Sequence, residues 1–128
     1  MAALDINGTV TDRNHPSQID QGIVTDAFNN LSIPHELDAM TTSCSGCIAI
    51  GHNASLYRDD GNNNIAIGVF SQQGIMGISP SGSSNVSLGD NSLLEISTAS
   101  SNVCVGSSSA LNVTTGSSNI SIGASTLD

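Results

Sequence analysis

Five times the chain writes the same four-residue unit of aliphatic, small, aliphatic and glycine. The units are Ile48-Ala49-Ile50-Gly51, Ile65-Ala66-Ile67-Gly68, Val86-Ser87-Leu88-Gly89, Val103-Cys104-Val105-Gly106 and Ile120-Ser121-Ile122-Gly123. Their glycines stand 17, 21, 17 and 17 residues apart, a period of 17 with one four-residue insertion between Gly68 and Gly89. Asparagine precedes four of the units, at Asn64, Asn85, Asn102 and Asn119, and Cys47 precedes the first. A period this strict is the mark of stacked supersecondary units, each resting on its neighbours.

Within a unit the chemistry is that of a strand. Side chains alternate, so the first and third residues share one side and the second faces the other. The pairs Ile48 and Ile50, Ile65 and Ile67, Val86 and Leu88, Val103 and Val105, and Ile120 and Ile122 are therefore expected to form the repeat core. Opposite them stand Ala49, Ala66, Ser87, Cys104 and Ser121, all small, on a face either crowded by a neighbouring backbone or wet. Gly51, Gly68, Gly89, Gly106 and Gly123 then allow corners that a Cβ would obstruct. Leu56, Leu94 and Leu111, five residues after a glycine, predict a second short strand in each period. Five coils over residues 43–128, at about 4.8 Å each, would make a rod roughly 24 Å long. The asparagines have two readings, a hydrogen-bonded ladder along the stack or a tolerance of turn conformations.

Residues 1–40 read differently. Asn7-Gly8, between Ile6 and Val10, has the chemistry of a hairpin turn. Over residues 17–34, Ile19, Ile23, Val24, Ala27, Phe28 and Leu31 share one face of a short helix, with Ser17 or Asp20 as N-cap and Pro34 as its end. Gly22 weakens that helix by about 1 kcal/mol. Ile19, Ile23, Phe28 and Leu31 are the expected attachment or trimerisation contacts. The expected architecture is thus all-β, a β-solenoid preceded by a small N-terminal segment with a short helix; the resemblance described below implies its trimeric β-roll form.

Composition narrows the function classes. The 128 residues carry a net charge of −9, with Arg13 and Arg58 as the only basic residues and no lysine. Such a chain lacks the cations that neutralise phosphates, so neither nucleic acid nor an anionic membrane surface is an expected partner. No run approaches the roughly 20 apolar residues of a membrane span. The opening stretch MAALDINGTVTDRN has no basic n-region or apolar h-region, which predicts a chain kept in the cytoplasm until a larger particle carries it out. Three cysteines, Cys44, Cys47 and Cys104, are expected as free thiols in that compartment. Aromatic residues make up 2% of the chain, too few for a conventional core of this size.

The repeated Asn-Ile/Val-x-Ile-Gly units, with Ser/Gly-rich spacers such as TTGSSNISIG, resemble the left-handed β-roll head of trimeric autotransporter adhesins (the YadA-like head). They are similar as well to repeats in the tail and head fibres of tailed bacteriophages. The likeness covers about residues 43–128. It implies three chains wound side by side around one shared core, which would let thin coils bury aliphatic residues against two partners. Since the adhesins carry a signal peptide and a membrane-anchoring barrel, the implied setting is the phage virion, assembled in the host cytoplasm. The implied role is a homotrimeric tail fibre or spike. Other virion proteins would meet it at the N-terminus and at the C-terminal coil. A capsid fibre and a bacterial adhesin fragment are the alternatives.

Other motifs yield no catalytic, cofactor or metal site. Cys44-Ser-Gly-Cys47 has the spacing of half a zinc or redox site without a second half. Asp59, Asp60, Asn62 and Asn64 offer hard oxygen ligands but miss the EF-hand spacing, and such clusters are ordinary turn material. IGHNAS and LGDNSL look like single hexapeptides of left-handed β-helix acyltransferases, with His52 as a base. That fold needs consecutive hexads, and each period here supplies one.

Overall fold

The computed structural model describes residues 24–25, 31–33, 44–57 and 60–127. Among these, seven short strands form one sheet in chain order: β1 Val24–Thr25, β2 Leu31–Ile33, β3 Ile48–Ile50, β4 Ile65–Ile67, β5 Val86–Leu88, β6 Val103–Val105 and β7 Ile120–Ile122. The β1–β2 pair is antiparallel. From β2 onward every pairing is parallel and in register by repeat position, Ile48 against Ile65, Ile65 against Val86, Val86 against Val103, Val103 against Ile120. Parallel neighbours one period apart, with no helix among the described residues between them, make a β-solenoid. Four complete turns separate β3 from β7.

Two expectations are corrected at the N-terminal side. Val24 and Leu31, placed on a helical face by periodicity, belong to strands β1 and β2. Leu31 pairs with Ile48 across one 17-residue step, so the ladder reaches one coil further back than residue 43. Ile19, Ile23 and Phe28 lie outside the described residues, as does the Asn7-Gly8 turn.

The rest of each coil is built from left-handed corners rather than a second strand. Besides the strand-end glycines, positive φ recurs at three fixed places in the period: at Gly46, Asn63, Ser84, Ser101 and Ser118; at Asn53, Phe70, Asn91, Ser108 and Ser125; and at Ser55, Gln72, Leu93, Ala110 and Leu127. A non-glycine residue in that region costs roughly 1–2 kcal/mol. The return is that these corners aim N–H groups along the stack. Ser84 N donates to Asn62 O at 2.8 Å, Asn91 N to Val69 O at 2.9 Å and Leu93 N to Ser109 O at 3.0 Å, each one coil away. No strand forms around Leu56, Leu94 or Leu111, which are half-buried.

The glycine after each strand is required twice over. Gly51, Gly68, Gly89 and Gly106 all sit at φ between 130° and 136°. A Cβ on any of them would lie about 2.5 Å from the carbonyl oxygen of the glycine in the next coil. These corners stack backbone on backbone, and no side chain fits between.

Candidate functional site

The strands present two columns to opposite sides, and the inward one is the column of small residues. Ala49, Ala66, Ser87, Cys104 and Ser121 are all buried. They face a second wall of small residues that includes Ala54, Ser71, Ser92 and Ser109. Ala49, Ala54 and Ala66 pack together. Ser71 and Ser87 share a hydroxyl–hydroxyl hydrogen bond across coils. Ser109 Oγ donates to Ser121 Oγ at 2.8 Å. The coil is a flattened tube too narrow at the strand for anything larger.

The expected repeat core is not closed within a single chain. Ile48, Ile50, Ile65, Ile67, Val86, Leu88, Val103, Val105, Ile120 and Ile122 lie on the outside of the single chain's coil. None of them belongs to its buried core. Ile67, Leu88 and Val103 keep more than a third of their surface accessible even though flanked above and below, and Ile120 keeps 75%. The small-residue face, left open between crowding and water, is crowded. The larger apolar residues that do point inward are Leu93 and Ile96, clustered with Ala99, Cys104 and Ala110.

Beside the inward column runs a ladder of asparagines. Asn64 Oδ1 accepts both the backbone N–H and the Nδ2 of Asn85, at 2.9 and 3.2 Å. Asn85 Oδ1 does the same for Asn102, both at 3.0 Å, and Asn102 Oδ1 for Asn119, at 2.9 and 3.0 Å. Each Nδ2 also ties its rung to the opposite wall: Asn64 to Gly82 O, Asn85 to Ala99 O and Asn102 to Gly116 O. Their φ is not left-handed; the residue before each one has that conformation. Of the two readings, the ladder is the one that forms, and it satisfies amides that burial would otherwise penalise. A second, outer ladder uses side-chain oxygens as acceptors. Ser45 N donates to Asn62 Oδ1, Asn62 N to Ser83 Oγ, Ser83 N to Ser100 Oγ and Ser100 N to Ser117 Oγ. This is where the serine-rich spacers spend their hydroxyls.

The minor motifs resolve in the same terms. Cys44 and Cys47 form a disulfide instead of the expected free thiols; the left-handed turn at Gly46 brings their Cα atoms to 6.6 Å. Cys104 is the free cysteine, and burial raises its thiol pKa above the ordinary value. Asn62 and Asn64 are ladder members rather than calcium ligands, and Asp60 is exposed. No group of three or more His, Cys, Asp or Glu among the described residues could hold a metal ion. His52 stacks edge-on against Phe70, with ring centroids 5.9 Å apart. No described helix is long and apolar enough to cross a membrane.

Fold and surface together define a repeat β-solenoid that wears an aliphatic ladder on its strand face. The chain matches no family model, no curated protein and no solved structure.

Proposed function

We propose that this chain is a non-enzymatic structural component of a tailed-bacteriophage virion, a homotrimeric tail fibre or spike. Three copies turn their strand faces toward a common axis, and the aliphatic ladders become one shared core. Residues 1–40 attach the shaft to the particle, and the solenoid projects toward the host. The phage setting rests on the resemblance of the Asn-Ile/Val-x-Ile-Gly units.

One observation carries the threefold shaft: the strand face is a two-column aliphatic stripe that the single coil leaves outside. A contiguous exposed apolar stripe of this kind is the mark of an interaction surface. Its setting favours self-association as well. Between residues 60 and 127 the chain has Asp60, Asp90 and Glu95 and no basic residue, so few charges oppose close approach of copies. A repeating stripe is also complementary to itself when copies align in register, as closed symmetry requires.

Light scattering of the purified chain across a dilution series tests the assembly. A threefold mass that persists on dilution is expected, and Leu88→Asp, which buries three carboxylates in the shared core, should drop it to the monomer. A folded wild-type monomer or dimer would overturn the reading.

A further inference from the structure

Cys47 stands where the repeat otherwise places its asparagine. It precedes Ile48 as Asn64 precedes Ile65, Asn85 precedes Val86 and Asn102 precedes Val103. Those asparagines each send Nδ2 to a carbonyl of the opposite wall, Asn64 to Gly82 O at 3.1 Å, Asn85 to Ala99 O and Asn102 to Gly116 O at 2.8 Å. The last two acceptors lie 14 residues after their asparagine, and Gly61 lies 14 residues after Cys47. Cys47 Sγ sits 3.3 Å from Gly61 O, nearer than the 3.8 Å to Ser45 O. The sulfur thus occupies the place of a rung's Nδ2, but in the disulfide with Cys44 it carries no proton to donate. The loop that holds both cysteines is fixed to the next coil by its backbone. Ser45 N donates to Asn62 Oδ1 and Ser45 O accepts from Asn63 N, both at 2.9 Å, while Ile48 N donates to Asn64 O at 2.8 Å. None of these bonds involves a sulfur, so opening the S–S bond leaves Cys47 held against Gly61.

We propose that Cys44 and Cys47 form a thiol–disulfide switch that exchanges the partner of Cys47 between Cys44 and the opposite wall of the coil. Oxidised, Cys47 is bonded to Cys44 across the left-handed turn at Gly46. Reduced, its S–H donates to Gly61 O and supplies the wall tie of a rung, so the coil stays closed in either state. The reductant is a dithiol. Its thiolate attacks one sulfur of the pair, and the other sulfur leaves as a thiolate and takes a proton. The second thiol of the reductant then resolves the mixed disulfide; two electrons and two protons have passed to the protein, and the reductant departs as its own disulfide. Cys44 and Cys47 are 1% and 2% exposed, so attack waits for the loop to open. The switch belongs to a single chain and needs no partner copy, so it stands or falls apart from the threefold reading.

The test adds dithiothreitol to the full chain and follows the carbonyl carbon resonance of Gly61 together with amide hydrogen exchange. Reduction in the folded state is expected to shift that resonance in the direction of a gained hydrogen bond. Exchange at the Ile48 and Asn63 amides should change by less than about threefold, below the worth of one hydrogen bond. Cys44→Ala, which keeps the Cys47 thiol, should match the reduced wild type. Under the same reductant Cys47→Ala should speed that exchange about tenfold, the worth of the lost bond, and Cys47→Asn should restore it. An unmoved Gly61 resonance, exchange in the reduced wild type as fast as in Cys47→Ala, or no restoration by Cys47→Asn would each overturn the proposal. So would a pair that the reductant opens only in the denatured chain.

Discussion

The two sides of each strand are made from residues only a position apart, yet they obey opposite rules. Inward, Ala49, Ala66, Ser87, Cys104 and Ser121 are small because the far wall of the coil sits directly against them. Outward, the Ile, Val and Leu pairs are free in size because nothing among the described residues opposes them. In an ordinary globular domain the larger apolar side chain marks the interior. Here the interior is bounded by backbone hydrogen bonds and polar ladders, and the apolar area faces out. The difference teaches that size, rather than hydropathy, separates inside from outside when a coil is this thin.

The sharpest way to break the inward side is to remove a rung. Asn85→Ala leaves the buried N–H and one Nδ2 proton of Asn102 without their acceptor, and Ala99 O without its donor. Two or more buried groups left unpaired, at about 1–3 kcal/mol each, predict a loss of about 3 kcal/mol in denaturant unfolding. A loss under about 1 kcal/mol would mean that water replaces the rung without cost.

A paired substitution then compares the two sides directly. Ala66→Leu forces three more carbons between walls held by inter-coil hydrogen bonds, and about 2–3 kcal/mol of destabilisation is expected. Its neighbour Ile67→Ser removes an outward side chain, and under about 1 kcal/mol is expected for folding of the isolated chain. In the assembled shaft the same Ile67→Ser should weaken association, read as a lower mass at a given dilution. If the two substitutions destabilise the monomer equally, the inside–outside assignment fails.

Much of this architecture was legible in the period. The register of β3 to β7, the stacked glycines and the rung positions all follow from counting 17 residues, with one step of 21. The sidedness was legible only in part: the resemblance set the aliphatic pairs against partner chains, but the small face stayed open between crowding and water, because nothing local announces the width of the coil. A signal was nevertheless present: the middle residue is small in all five units, whereas the flanking pair varies among Ile, Val and Leu. The strand at Leu31–Ile33 hid because Pro34 stands where the repeat has glycine. Asn30-Leu31-Ser32-Ile33 lies one period before Cys47-Ile48-Ala49-Ile50, and that step outweighs the helical spacing of Ile19, Ile23 and Phe28. The left-handed corners at Phe70, Gln72 and Leu93 carry residue types that rarely adopt positive φ, so only the inter-coil hydrogen bonds reveal them.

The smallest expected effect belongs to Cys104, which reports on sidedness without perturbing it. Its register partners are Ser87 and Ser121, and its side chain packs with Leu93, Ile96, Ala99 and Ala110. Burial disfavours the thiolate and raises the pKa. A thiol whose folded pKa lies above its unfolded one keeps its full contribution below the unfolded pKa and loses it as pH rises through the folded value. Stability should therefore fall on the alkaline side, and Cys104→Ala, costing under about 1 kcal/mol at neutral pH, should remove that part of the fall. The same burial predicts slow alkylation of Cys104 in the folded chain and fast alkylation after unfolding, with Cys44 and Cys47 reacting only once reduced. A one-residue slip in register would turn every inward side chain outward. Rapid labelling of Cys104 in the folded state would show that slip, and would move the aliphatic pairs back inside the coil.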